Sequence, residues 1–330
     1  MHLTKLLSCV ALCLGLFGCG QSSGPSVSSV GAGDAPAPAP GATKPTAQQV
    51  GLVMKTLTNP FFVEMEKGAR RAEKENGITL TVKTAAQETS IEQQIQLVND
   101  LIAAKVDAIV IAPGDSQSLI PTLKKAADAG IKLVNIDNRL DAQALQQAGL
   151  TEVPFLGVDN EAGAHKAGAF LATKVSTPTR AAILEGIRSA DNARQRMEGA
   201  RRALLENKQI KLVASETANW KIDEAYTTSK AMFKKHPDIK LLFAANDMMA
   251  LGALKYLQES GKADVKVAGF DALSEAMTEI KAGHLHATID QQAAEQGYQG
   301  VVMALRMLKG EKVPPVTMIE TRLVTAAELQ

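Results

Sequence analysis

Five apolar runs in this sequence end on side chains that donate or accept hydrogen bonds. Residues 50–54 lead into Lys55-Thr56-Leu57-Thr58-Asn59-Pro60-Phe61-Phe62, residues 133–136 into Asp137-Asn138-Arg139, and residues 241–244 into Asn246-Asp247. Gly269-Phe270-Asp271 and Asp290-Gln291 close the other two. A carboxylate accepts from two hydroxyls, an amide presents a donor beside an acceptor, and a cation donates only. Such a set suits a ligand rich in polar groups. Taken singly, Asn246 and Asp271 read equally well as helix N-caps, an ordinary role for Asn and Asp after a strand.

Catalysis finds less support. There is no Walker loop, no Gly-x-Ser-x-Gly elbow and no His-Glu-x-x-His helix. Asp137 and Asp271 could pair as in a glycosidase, but the Asn and Arg residues beside them suit hydroxyl binding better. His284-Leu285-His286 puts two imidazoles on one strand face, and no third ligand stands at metal-binding spacing, so a solvent-facing strand edge is expected. The catalytic, metal and cofactor readings are all none.

The elements that must position these groups alternate in type. Strands are expected at 50–54, 78–83, 108–112, 133–136 and 155–158, then at 181–184, 212–215, 241–244, 265–269 and 287–289. Helices are expected at 61–75, 91–104, 119–129, 192–206, 223–235, 247–260 and 274–282, with apolar residues at helical spacing such as Ile91, Ile95, Val98, Leu101 and Ile102. Near-continuous apolar strands alternating with helices predict parallel sheets covered on both faces. The fold class is α/β, with two doubly wound lobes and a cleft between them. Ligands of such sheets sit beyond the carboxyl ends of the strands, where the polar residues are found.

Hydrophobic residues make up 45% of the 330, charged residues 22%, and the net charge is +1. No basic face is apparent, which argues against nucleic acid as a partner. Residues 1–19 read as an export signal: Lys5, an apolar run, then Leu16-Phe17-Gly18-Cys19. The run is too short to span a bilayer, which needs about 20 residues. Gly18-Cys19 resembles a bacterial lipobox, in which the cysteine is lipidated; an ordinary signal peptide is the plainer alternative. Residues 20–47, with Ala35-Pro36-Ala37-Pro38-Ala39-Pro40, read as a linker. All three cysteines precede it, so the body beyond has no internal disulfide.

From about Val50 to the C-terminus the residues resemble the periplasmic monosaccharide-binding proteins of ABC importers, the ribose/D-allose-binding protein family. Allose-binding members match at Lys55-Thr56-Leu57, Asn59-Pro60-Phe61, Leu133-Val134-Asn135-Ile136-Asp137 and Ile210-Lys211-Leu212-Val213-Ala214-Ser215. Ribose-binding members share Asn59-Pro60-Phe61-Phe62, Asn246-Asp247, Met249-Ala250-Leu251-Gly252-Ala253 and Gly269-Phe270-Asp271. The resemblance implies a type I periplasmic binding protein: a two-lobed clamp with a three-strand hinge. One lobe would be 48–158 plus 290–317, the other 159–289 plus 318–330.

It places Lys55, Asn59, Asp137, Asn138, Arg194, Asn246, Asp271 and Gln291 on sugar hydroxyls, and Phe61, Phe62 and Trp220 on the C–H faces of the ring. From the residues alone, Phe61 and Phe62 read rather as core, and Arg194 as part of a solvated helix face. Asp159-Asn160, where the chain crosses the hinge, could cap a helix or support the site. Phe62 follows the ribose-binding pattern and Lys55 the allose-binding one, while Asp290 stands where both carry Ala. The implied ligand is an allose- or ribose-like aldose. The implied partners are an ABC permease and its ATPase, and the implied protein is a monomer, anchored by lipid alone in the periplasm or at the cell surface. A sugar-sensing partner of a chemoreceptor or histidine kinase is the alternative. A LacI-type regulator would need a DNA-binding headpiece where the signal and linker stand.

Lipidation at Cys19 has a direct test. Metabolic labelling with a palmitate analogue should mark the wild type and not Cys19→Ala; equal labelling of both would exclude it.

Overall fold

A computed structural model of the protein describes residues 47–329. Cys19, the signal and the linker up to residue 46 lie outside them. In chain order the elements run β1 (Gln49–Met54), α1 (Pro60–Asn76), β2 (Thr79–Thr84), α2 (Ile91–Ala103), β3 (Ala108–Ile111), α3 (Ile120–Asp128), β4 (Lys132–Ile136), α4 (Ala142–Gln147) and β5 (Phe155–Val158). They continue with α5 (Asn160–Ala172), β6 (Thr179–Glu185), α6 (Asp191–Glu206), β7 (Ile210–Thr217), α7 (Ile222–Lys235), β8 (Ile239–Ala244), α8 (Asp247–Glu259), β9 (Lys266–Ala268), α9 (Ser274–Lys281) and β10 (Ala287–Asp290). The chain closes with α10 (Ala293–Leu308), β11 (Val316–Ile319), β12 (Arg322–Thr325) and a 3-10 turn at Ala326–Leu329.

Two six-stranded sheets result, ordered β11-β5-β4-β3-β1-β2 and β12-β10-β9-β8-β6-β7. All neighbours pair in parallel except β10 with β12. Apart from its added edge strand, each sheet has the doubly wound order 2-1-3-4-5, whose switch point lies between the first and third strands. The chain crosses between sheets three times: after β5, after β10, and between β11 and β12.

Parallel strands covered on both faces have little need for polar residues, and β3 and β5 are buried throughout. Helices pack on the sheets through apolar faces such as Phe61, Phe62, Met65, Ala69 and Ala72 of α1. Five elements were not anticipated: α4, α5, α10, β11 and β12. The buried face of α5 is built mostly from Gly and Ala, which weakens an apolar stripe, and that of α10 mixes Gly297, Gly300 and Ala304 with Val301, Met303 and Leu305. Small residues are needed there because paired helices come close. A Cβ on Gly297 of α10 would lie 2.0 Å from the Met65 carbonyl oxygen of α1, and one on Gly199 of α6 would lie 2.1 Å from that of Glu161 in α5. β11 and β12 are short, and three of their eight residues are exposed, so neither forms a continuous apolar run.

The α1–α10 contact makes a testable claim. Gly297→Ala forces two backbones apart and should cost about 1–3 kcal/mol. Urea unfolding should show a lower midpoint with an unchanged slope; an unchanged midpoint would contradict the packing described.

Candidate functional site

The carboxyl ends of both sheets face one cleft. It is lined by Lys55, Asn59, Phe61, Phe62, Glu88, Asp137, Asn192, Arg196, Trp220, Asn246, Asp271 and Gln291. Lys55 and Asn59 follow β1, and Asp137 follows β4, all on the first sheet. Arg196 and Asn192 lie on α6, Asn246 follows β8 and Asp271 follows β9, all on the second. Gln291 sits on the crossing after β10.

Each sheet supplies a buried cation with its own counter-charge. Lys55 Nζ lies 2.9 Å from Asp137 Oδ2, an ion pair whose angle misses hydrogen-bond geometry. Arg196 Nη1 lies 3.5 Å from Asp271 Oδ1, and its other contacts fix the guanidinium. Arg196 Nε donates to Asn160 Oδ1 at 2.8 Å, Nη1 donates to the Ala245 carbonyl at 2.9 Å, and the group lies 3.8 Å from the Phe270 ring centre. Gln291 Nε2 donates to Asp271 Oδ1 at 2.6 Å, and Asn59 Nδ2 to Glu88 Oε1 at 2.8 Å.

Burial sets the direction of the titrations here. It pushes Glu88 above the usual carboxylate range, against Lys55 and the Asn59 hydrogen bond. It raises Asp271 well above that range, against Arg196 and with help from Asp247. It lowers Arg196, whose charge Asp271, Asp137, Glu88 and Asp247 favour.

The backbone is held in an unusual conformation at several of these positions. Asp137 has φ 62°, Trp220 φ 66° and Asp271 φ 124°, in a region that costs non-glycine residues about 1–3 kcal/mol each. Local bonds hold it in place. Asp137 and Asp271 donate their amides to Leu156 and Ile289 across the sheets, and Thr217 Oγ1 accepts the amide of Asn219 beside Trp220. The Trp220 indole fills the space beside Gly186, where a Cβ would lie 2.1 Å from the ring.

Among the expected residues, Lys55, Asn59, Phe61, Phe62, Asp137, Trp220, Asn246, Asp271 and Gln291 come together in the cleft. Two do not. Arg194 points away, with its side chain 48% exposed and paired with Asp191, because α6 turns its buried face through Asn192, Ala193, Arg196, Gly199 and Ala200. The position two residues later, Arg196, is the one inside. Asn138 is buried outside the cleft, bonded to the Pro113 carbonyl, Ser116 Oγ and the Asn192 amide.

Two site residues are also caps, Asn59 accepting from Phe61 N and Asn246 from Met249 N at helix starts, whereas Asp271 caps no helix, because α9 starts after Leu273. Phe61 and Phe62 likewise belong to both core and cleft. Asp159 caps α5, and Asn160 supports Arg196. Asp290 faces away and accepts from Gln292 N. His284 pairs with Glu279, while His286 Nδ1 lies 3.3 Å from Val267 N, so the two imidazoles have separate partners.

Three lining residues had no strand-end signature. Glu88 precedes α2 in a turn, whereas Asn192 and Arg196 carry a signal in helical spacing with Ala200 and Ala203.

The sequence profile of the periplasmic binding protein domain matches residues 50–312. A D-ribose/D-allose-binding protein of Pseudomonas aeruginosa is 41% identical over 273 residues, covering 82% of this chain and 85% of that protein. The D-allose-binding periplasmic protein of Escherichia coli K12 is 33% identical over 272 residues, covering 82% and 88%. A solved structure of an ABC transporter periplasmic solute-binding protein from Actinobacillus succinogenes 130z, with bound D-allose, has a TM-score of 0.81 at 38% identity, covering 85% of this chain and 98% of that one.

Behind the cleft, Asp247 accepts from Thr288 Oγ1 and Leu273 N, yet burial raises its carboxyl to about 7. The folded protein therefore keeps a proton that the unfolded chain has lost above roughly pH 4. Its contribution to stability is full below about pH 4, declines as pH rises to about 7, and is flat beyond. Asp247→Asn should make the fall in unfolding free energy between about pH 4 and 7 shallower; parallel pH profiles would refute the raised value.

Proposed function

This chain belongs to the periplasmic binding protein domain family, and we propose that it binds one monosaccharide in the cleft and delivers it to an ABC importer. The observation that carries the reading is a set of buried polar atoms without a hydrogen-bond partner. Among the described residues such atoms include Asp137 Oδ2, which has only its ion pair with Lys55, together with Asn192 Oδ1 and Trp220 Nε1, all in residues lining the cleft and drawn from both sheets. An unpaired buried polar group costs about 1–3 kcal/mol, and native proteins carry few. The hydroxyls of an aldose offer donors to the first two atoms and an acceptor to the third. Phe61, Phe62 and Trp220 offer apolar surface to the C–H groups of the ring.

The ligand is an allose- or ribose-like aldose, in line with the ligands named for the relatives. Those relatives are binding proteins, and the proposed role is stoichiometric binding without turnover. A ligand that touches both sheets stabilises their closed arrangement, so an importer can distinguish loaded from empty protein by shape. The protein would act in the periplasm as a monomer, tethered through a lipid on Cys19.

Isothermal calorimetry with D-allose and D-ribose tests this reading. Arg196→Ala should weaken binding about 100-fold, because it removes charge-assisted hydrogen bonds and strands Asp271. Arg194→Ala should stay within about twofold, as exposed ion pairs contribute little. Wild-type protein that binds neither sugar, or converts one to product, would overturn the proposal.

A further inference from the structure

The helix that carries Arg196 has no cap of its own. α6 starts after Ala190, whose methyl group accepts nothing. Its first two amides are nonetheless bonded: Asp191 N donates to Ser116 Oγ at 2.9 Å, and Asn192 N donates to Asn138 Oδ1 at 3.2 Å. Both acceptors belong to the other sheet, since Ser116 follows β3 and Asn138 follows β4, whereas α6 follows β6. The acceptors also hold one another, with Asn138 Nδ2 3.4 Å from Ser116 Oγ and 3.1 Å from the Pro113 carbonyl. A further bond crosses at the same place, from Ser116 N to the Ser189 carbonyl at 3.2 Å. Ser116 and Asn138 are buried, and neither lines the cleft.

We infer that Ser116 and Asn138 are positioning residues that cap α6 across the cleft, so that closing the lobes completes the helix presenting Asn192 and Arg196. The inference rests on the proposed function only for its effect on sugar release. When the lobes part, the amides of Asp191 and Asn192 lose their acceptors to water. When they meet, a side-chain cap of the usual strength favours the capped state by about fivefold to tenfold. The closed form thereby gains stability from a contact that touches no ligand. Affinity then depends on residues outside the binding surface.

Amide hydrogen exchange and small-angle scattering on the full chain, without sugar, test the inference. Ser116→Ala should speed exchange at Asp191 and Asn192 by about fivefold to tenfold, leave the amides of β6 unchanged, and enlarge the radius of gyration. Adding Ala190→Ser gives α6 a hydroxyl cap within its own lobe. This should restore protection at the start of the helix while the radius stays enlarged, a separation that a purely local role for Ser116 would not produce. Equal exchange at Asp191 in wild type and Ser116→Ala would overturn the inference. If wild type binds D-allose, Ser116→Ala should release it faster at an unchanged association rate, and unchanged release would also count against the inference. A wild type that ignores D-allose bears on the proposed sugar alone and leaves the sugar-free comparison intact.

Discussion

Lys55, Glu88, Asp137, Arg196 and Asp271 all lie buried around one cleft, and the rest of the structure has to make that tolerable. Removing an ion from water costs several kcal/mol even after relaxation, so each charge needs a partner at close range. The fold meets this need within each sheet, not across the cleft. Lys55 and Asp137 come from the first sheet, Arg196 and Asp271 from the second. Each lobe thus carries its own compensated pair and can part from the other without exposing a lone buried charge. Glu88, the fifth group, is held by the Asn59 amide, and burial favours its proton.

The same economy governs the helix starts around the cleft. At α1 and α8 the cap oxygen of an asparagine accepts from the helix while its Nδ2 turns elsewhere, toward Glu88 from Asn59 and toward the Trp220 carbonyl from Asn246. Capping fixes the amide plane, so the second function needs no further ordering of the side chain. α6 departs from this pattern. An alanine stands at its cap, and its acceptors come from the facing lobe.

Much of this was legible before any coordinates. Strands buried on both faces declare themselves by composition, and the ten anticipated strands, the less buried edge strands β2 and β7 among them, fall in the two sheets in doubly wound order. The polar strand ends stand out because apolar runs precede them. What stayed hidden was packed too closely, or projected from the wrong element, to leave such a mark. α5 meets its partners largely through glycine and alanine, and on α10 the apolar Val301, Met303 and Leu305 are interleaved with Gly297, Gly300 and Ala304. Arg194 and Arg196 sit in one charged stretch, and only the spacing of Ala193, Ala200 and Ala203 shows which of them turns inward. Glu88 comes from a turn, where no periodicity operates. For Asn246, cap and cleft had seemed competing readings, but an amide has two ends and the residue uses both.

The left-handed backbone at Asp137 and Trp220, and the positive φ at Asp271, bear on selectivity. Side chains launched from such constrained positions have little freedom left to adjust, so the entropy of arranging them is surrendered at folding, before any ligand arrives. A rigid frame of this kind gains affinity for the stereochemistry it matches and cannot re-form around its neighbours. Inverting one ring carbon would leave a buried group facing a C–H bond instead of a hydroxyl, a loss of about 1–3 kcal/mol that nothing nearby can shift to recover. Epimers would be separated by roughly one or two orders of magnitude for each mismatched hydroxyl.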